Sequence, residues 1–281
     1  MNTQFVPNTH TDNNRFAERT CENQRPTAER RVPIVGHGRS VMLAVALIIT
    51  LLFSACSMPL GGGDVDSAAD SSSSQSTSAQ STGSIRAVVD STDGADVVVY
   101  DSPNGSSMTT VPAVTTYGTT RVFLVDTMAG DWVRVKLPMR PNHQSGWIPA
   151  TEVTLEEVEP VVQVDLEART LTVVADDSVI AQATVAIGSP ENPTPRGTFY
   201  ITDKLETPDP QGAYGPYAFG LSGYSETLSE FGGGDGQIGI HGTNAPDLLG
   251  QAVSHGCVRL PNEVIGWLAD LLPLGTPVHI V

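Results

Sequence analysis

Past residue 84 the chain is cut by turn residues into short β-rich runs, and only one stretch carries a helical repeat. Short runs of β-branched and aromatic residues cannot bury an apolar face alone, so they must pair into sheets. Residues 85–158 hold such runs at 96–100 (DVVVY), 120–125 (TRVFLV), 131–137 (DWVRVKL) and 145–150 (SGWIPA), with a turn at Asp101-Ser102-Pro103-Asn104-Gly105. The alternation in WVRVKL leaves burial to decide the faces of Trp132, Val133 and Val135. A short acidic run, Glu156-Glu157-Val158-Glu159-Pro160, reads as a hinge to a second unit at 160–281. That unit opens with strands VVQVDL, TLTVVAD and VIAQATVAIG, with a turn at Asp176-Asp177. Residues 188–198 are too proline-rich for a helix, and a strand resumes at 199–202. Residues 207–237 form a long irregular segment, read as a lid and cleft wall with Tyr214, Tyr217 and Phe219 facing a ligand. The helix is expected at 263–272, capped by Asn262, with Val264, Leu268, Leu271 and Leu272 on one face and Pro273 and Gly275 as the stop. A strand at 277–281 closes the sheet, and His279 in it reads as a strand-end surface residue. The fold class is therefore mainly β, in two modest domains.

The first 84 residues have nothing in common with this. Residues 1–40 are polar and aperiodic and read as a disordered cytoplasmic tail. Six arginines against four acidic residues make that tail basic, and a basic flank before an apolar run marks the cytoplasmic side of an export signal. The run is VMLAVALIITLLF at 41–53, the length of a signal-peptide core, followed by Ser54-Ala55-Cys56. Small residues before a cysteine resemble the lipobox of bacterial lipoproteins, which makes Cys56 the lipidation site and 41–56 the signal. Phe53 stands where Leu is usual, so an uncleaved anchor reaching about residue 60 is the alternative. Residues 57–84 are rich in Ser and Gly and read as a flexible linker. Everything past it is expected outside the cytoplasmic membrane and tethered to it.

Charge and cysteine count agree with export. Beyond the tail there are nine basic and 27 acidic residues, a balance that repels nucleic acid and excludes it as a partner. Of the three cysteines, Cys21 falls in the tail, Cys56 at the lipobox, and Cys257 alone in the folded part. Cys257 has no partner for a structural disulfide, and a lone exported thiol asks for a functional explanation.

That thiol lies in IHGTNAPDLLGQAVSHGCVRL, residues 240–260, which holds two histidines, a cysteine and an arginine in one glycine-punctuated run. Cysteine chemistry needs a thiolate, a base for its proton, and donors aimed at the oxyanion formed on the attacked carbonyl. Cys257 is the candidate nucleophile and His241 the candidate base; Gly256 allows a sharp turn, and the amides of His255, Gly256 and Cys257 can form the oxyanion pocket. A buried Cys is more often an inert hydrophobe, and a loop His more often a solvated group, but the joint pattern outweighs either reading. His241, His255 and Cys257 are also all zinc-ligand types, yet His255 and Cys257 stand two apart, no acid accompanies them and CxxC is absent, so neither a metal nor another cofactor is expected. Arg259 either pairs with Asp247 or Glu263 or clamps a substrate carboxylate.

His241-Gly242 followed by Ser254-His255-Gly256-Cys257-Val258-Arg259 resembles the signature of the L,D-transpeptidase catalytic domain, the YkuD domain. The resemblance extends through Pro193-Thr194-Pro195-Arg196-Gly197-Thr198-Phe199 and Tyr214-Gly215-Pro216-Tyr217. It implies a catalytic β-sandwich with a short helix that crosslinks peptidoglycan. Cys257 would attack the stem peptide, His241 would be the base, the Gly242 carbonyl would orient it, and His255 and Gly256 would complete the catalytic turn. Ser254, Arg259, Tyr214, Tyr217 and Arg196 are the implied substrate contacts. Where many members carry Asn, this chain has Arg259, which bears on substrate choice. The thioester on Cys257 would pass to a neighbouring stem's amine in a 3→3 crosslink, or to water in an L,D-carboxypeptidase, and carbapenems would acylate the same thiol. Residues 85–158 are similar to bacterial SH3-like domains, small β-barrels, with Trp132 and Trp147 as core residues or a groove for wall peptide or glycan. Two further classes stand beside the enzyme: a wall-binding protein with a vestigial catalytic domain, and a thiol redox protein, for which the resolving cysteine is missing.

Overall fold

The computed structural model describes residues 83–90 and 94–281, which belong to one compact unit. The tail, the apolar run, Cys21, Cys56 and the linker as far as residue 82 lie outside the described residues. Among the described residues no helix is long and apolar enough to cross a membrane.

The first sheet comprises β1 (Ser84–Val89), β2 (Val97–Tyr100), β3 (Ser107–Val111), β4 (Val122–Ala129), β5 (Trp132–Lys136), β6 (Ser145–Pro149) and β7 (Val153–Val158). Its order is β3-β2-β6-β5-β4-β1-β7 with antiparallel pairing throughout. Seven strands exceed the four runs read from the sequence because β1 joins them and the polar runs SMTTV and VTLEEV add the edges, where one solvated face makes apolar alternation unnecessary. Val99, Phe123, Val133, Val135 and Ile148 fill its core. Period-two alternation puts Val133 and Val135 inside and leaves Trp132 half-buried, edge-on to Tyr100 at 5.2 Å. Glu156 and Val158, expected in a hinge, belong to β7 and pair with β1, where Arg86 also grips the Glu156 carboxylate at 2.5 Å.

The second sheet comprises β8 (Val161–Asp165), β9 (Thr170–Ala175), β10 (Ser178–Thr184), β12 (Gly197–Glu206), β13 (Tyr217–Tyr224), β14 (Gln237–His241), β16 (Val258–Arg259) and β17 (Pro277–Ile280), in the order β10-β9-β8-β17-β12-β13-β14-β16. β8 and β17 are parallel, as are β14 and β16; the other neighbours are antiparallel. A parallel pair, β11 (Ile187–Gly188) with β15 (Ala252–Ser254), holds the segment entering the catalytic turn. Asp176 and Asp177, both at positive φ, make the two-residue turn between β9 and β10.

β13 crosses the segment expected to be irregular. Two glycines and a serine in YAFGLSGY hide its strand character, but Phe219 and Leu221 point into the core and Phe219 is therefore no ligand-stacking residue. Gly223 is required on the same face, since a Cβ there would meet the Phe199 ring at 2.5 Å. The helix, α1 (Asn262–Leu271), buries Ile265, Leu268 and Ala269, with Leu272 just past its end. That i, i+3, i+4, i+7 stripe is one residue removed from the expected face, leaving Val264 and Leu271 only partly covered. Pro261, not Asn262, sits at the N-cap position.

The two sheets share a boundary. Along β12, Phe199 and Ile201 enter the second core while Tyr200 turns the other way, packing with Val122 and Leu124 and donating to the Lys136 carbonyl at 3.1 Å. The loop between β5 and β6 docks beside it. Arg140 donates to the carbonyls of Ser225 (2.5 Å), Leu228 (2.9 Å) and Asp235 (2.7 Å) and lies 4.9 Å over the Tyr224 ring. The Asn142 side-chain amide donates to the Tyr224 carbonyl at 2.8 Å and accepts from the Tyr224 amide at 2.9 Å, so the segment that follows β13 is held by the first sheet.

Candidate active site

Alternation sorts the edge of the second sheet into two faces. Ile240 and Val258 lie opposite each other and both enter the core, so their neighbours Gly239, His241, Cys257 and Arg259 share the other face. His241 ends β14, and its pairing with Arg259 on the parallel β16 brings the two ends together. Fifteen intervening residues thus return Cys257 to the strand beside His241, which only a parallel pair with a long crossover allows.

His241 is 5% exposed, and its Nδ1 sits 2.7 Å from the Gly242 carbonyl. A carbonyl only accepts, so Nδ1 carries the proton and Nε2 keeps its lone pair. The Tyr214 ring covers the imidazole at 4.6 Å between centroids. Burial drops the His241 pKa to about 4, with the Gly242 bond pulling it up and Arg259 pushing it further down. Burial likewise pushes the Cys257 thiol up, against the Gly239 amide and Arg259, which favour the thiolate. At neutral pH the pair is therefore a thiol beside a neutral imidazole. Desolvation outweighs the donors at the sulfur.

The turn itself is tied internally. Gly256 adopts φ +116°, open to glycine and strained for any other residue. Its amide donates to Ser254 Oγ at 3.2 Å, and that hydroxyl donates to the Cys257 carbonyl at 2.5 Å. Asn262 accepts from the Thr243 amide at 2.8 Å, and Cβ atoms added at Gly242 or Gly215 would each meet its Oδ1 at 2.4 Å. The helix start, the His-Gly step and the Tyr214-Gly215 loop are thereby locked in one place.

Residues 159–280 match the model of the L,D-transpeptidase catalytic domain, YkuD. The chain is 33% identical over 133 residues to the putative L,D-transpeptidase YqjB of Bacillus subtilis, covering 43% of this chain and 71% of that one. It belongs to the L,D-transpeptidase family. It is also 36% identical over 119 residues to the putative L,D-transpeptidase YkuD of Bacillus licheniformis, covering 42% of this chain and 64% of that relative's length. Among solved structures, an L,D-transpeptidase from Mycobacterium smegmatis aligns over 69% of this chain and 99% of its own, with 19% identity and a TM-score of 0.39.

Within this L,D-transpeptidase domain the sequence-derived residues separate. Cys257, His241, Gly242, Gly256, Arg259 and Tyr214 converge at the β14–β16 edge. Ser254 does not offer itself to a substrate: it is buried and its hydroxyl is engaged twice inside the turn. The Gly256 amide, engaged by the same hydroxyl, is likewise removed from the set expected to face an oxyanion. Tyr217 packs partly against the core, because it opens β13. Arg196 is exposed beside Gly197, whose open side is filled by the His143 ring. His255 is exposed at the rim and stacks on Phe231 at 4.6 Å. Arg259 forms no ion pair with Asp247 or Glu263, and its buried Nε has no hydrogen-bond partner. His279 is half-buried and bonded to Thr198 rather than solvated at a strand end. No three His, Cys, Asp or Glu side chains stand together as a metal site among the described residues. Gly239 and Phe231 escaped the sequence reading; alternation in QIGIHG marks the first, and nothing local marks the second.

Proposed function

We propose that this protein is a cysteine-dependent L,D-transpeptidase acting on peptidoglycan stem peptides outside the cytoplasmic membrane, through a thioester on Cys257. The observation that carries this reading is the His241 Nδ1 contact with the Gly242 carbonyl, which leaves Nε2 as an acceptor on the face that Cys257 shares. Nε2 takes the thiol proton as sulfur attacks the carbonyl of the diamino-acid residue of a tetrapeptide stem. The amides of His255 and Cys257 receive the oxyanion, and the imidazolium returns its proton to the departing D-alanine. A side-chain amine of a second stem then attacks the thioester, neutral His241 takes the proton lost by the amine, the carbon–sulfur bond breaks, and the imidazolium returns that proton to the departing Cys257 sulfur as the 3→3 crosslink forms. Water in place of the amine gives L,D-carboxypeptidase activity.

The depressed His241 pKa suits this role, because the base stays neutral until well below pH 7. The thiol needs no standing negative charge; the proton moves as the carbon–sulfur bond forms. Arg259, whose buried Nε has no hydrogen-bond partner among the described residues and whose charge acts on Cys257, His241 and Tyr214, would receive the stem's terminal carboxylate. Residues 41–56, with lipidation at Cys56 or as an uncleaved helix, would hold the enzyme at the membrane, with the Ser- and Gly-rich segment before β1 as its reach; Ser84, expected in that linker, opens β1.

Intact-mass spectrometry after incubation with a carbapenem tests the assignment. The wild-type chain should gain one acyl adduct that Cys257→Ala lacks, and Cys257→Ala should lose all crosslinking while melting as the wild type does. Crosslinking retained by Cys257→Ala would sink the assignment.

A further inference from the structure

The first sheet reaches into the cleft of the second. Thr115, in the loop between β3 and β4, is buried and donates to Asp203 Oδ1 on β12 at 2.5 Å. The same hydroxyl accepts from the amides of Tyr117 and Thr119, each at 3.2 Å, so one side chain both closes the turn and fastens it to the catalytic sheet. Asp203 starts a row that runs straight across the sheet. It pairs with Gly220 on β13, Gly220 pairs with Gly239 on β14, and the Gly239 amide reaches Cys257. At the usual strand spacing this row spans about 14 Å from β12 to β16.

The two middle positions have no side chains, and both glycines are half-exposed. The row is thus a shallow trough with the nucleophile at one end and the anchored turn at the other, bordered beside Gly220 by the Gln237 amide, which donates to Thr202 Oγ1 at 3.1 Å and to the Leu221 carbonyl at 2.7 Å. Alanine fits poorly at either glycine: a Cβ on Gly239 would meet the Phe219 carbonyl at 2.7 Å, and one on Gly220 would lie 3.2 Å from Gln237. Tyr117 stands two residues past the anchor with its ring 44% exposed. Its amide is bonded to the Thr115 hydroxyl that holds Asp203, so the turn carries it at the Asp203 end of the row; burial pushes its phenol up, and the charges of Asp203, Asp235, Tyr214 and Cys257 push it the same way.

We propose that Tyr117, on the first sheet, is a substrate-binding residue of the catalytic cleft, roofing the trough from Asp203 to Cys257 so that the acyl-donor peptide lies between its ring and the glycine backbone. The first sheet is then a wall of the active site. This rests on the proposed transpeptidase reading for its ligand. An extended peptide suits the place, because a glycine floor and an aromatic ring beside it hold a chain by contact without demanding particular side chains.

The test uses the full chain, wild type, Tyr117→Ala and Tyr117→Phe, with a synthetic tetrapeptide ending in a diamino acid and D-alanine. The ring is exposed, so melting temperatures should agree. Tyr117→Ala should raise KM about tenfold with kcat changed less than about twofold, and Tyr117→Phe should stay close to wild type. A KM unchanged in Tyr117→Ala would overturn the proposal. Calorimetric binding of the same peptide to Cys257→Ala, with and without Tyr117→Ala, separates the two readings. If the wild type turns nothing over yet Tyr117→Ala weakens binding about tenfold, the transpeptidase reading fails and the Tyr117 site stands. If binding is equal in both, or absent from Cys257→Ala, the Tyr117 site fails whatever the turnover.

Discussion

The two faces of the edge formed by β12, β13, β14 and β16 are built from the same strands and have opposite compositions. One carries Ile201, Phe219, Leu221, Ile238, Ile240 and Val258, all buried. The other carries Asp203, Gly220, Gly239, His241, Cys257 and Arg259. The apolar face places the strands; the polar face, relieved of packing, is free to hold an unpaired guanidinium and a buried imidazole that contribute little to stability. Substitutions on the two faces should therefore move different observables.

The largest separation is expected from His241→Gln. The carbapenem acylation rate should fall about 10²- to 10⁴-fold, the range for a lost general base, with the melting temperature nearly unchanged. On the opposite face, Phe219→Ala should cost about 3–5 kcal/mol in urea unfolding, since it empties a fully enclosed site. A smaller stability loss there would mean that the apolar face does not bear the fold.

Acid links the two faces. The His241 pKa of about 4 lies below its ordinary 6.5, so between these values the unfolded chain binds the proton that the folded chain refuses. Stability should be fully present above about pH 6.5 and fall by about 3 kcal/mol as pH drops to about 4, and that part of the loss should be missing in His241→Gln. Urea midpoints across this window decide it; equal slopes in the two proteins would contradict a buried neutral imidazole. The smallest effect is expected from Asn262→Ala, about 1 kcal/mol for the lost bond to the Thr243 amide, with acylation slowed because the His-Gly step loses its brace.

Much of this was legible in the linear chain. Strands with β-branched alternation, such as those around Val133 and Val162, announce themselves because burial on one face repeats every second residue. β13 did not, because a strand that packs on one side and stays bare on the other carries glycine where the pattern calls for a large residue. The resemblance implies Ser254 as a substrate contact; its burial and the two bonds of its hydroxyl inside the turn are tertiary facts.

By itself, then, the sequence determined the β class, the chemistry-bearing run from His241 to Arg259 and its kinship with L,D-transpeptidases, because residue types and short spacings are local properties. Only the tertiary structure decided that His241 and Cys257 are both uncharged at neutral pH, that the buried Arg259 Nε has no partner among the described residues, and that Thr115 and Arg140 of the first sheet grip the second. Charge state follows from desolvation by distant residues, and interfaces follow from pairings separated by 85 or more positions, which no local pattern encodes.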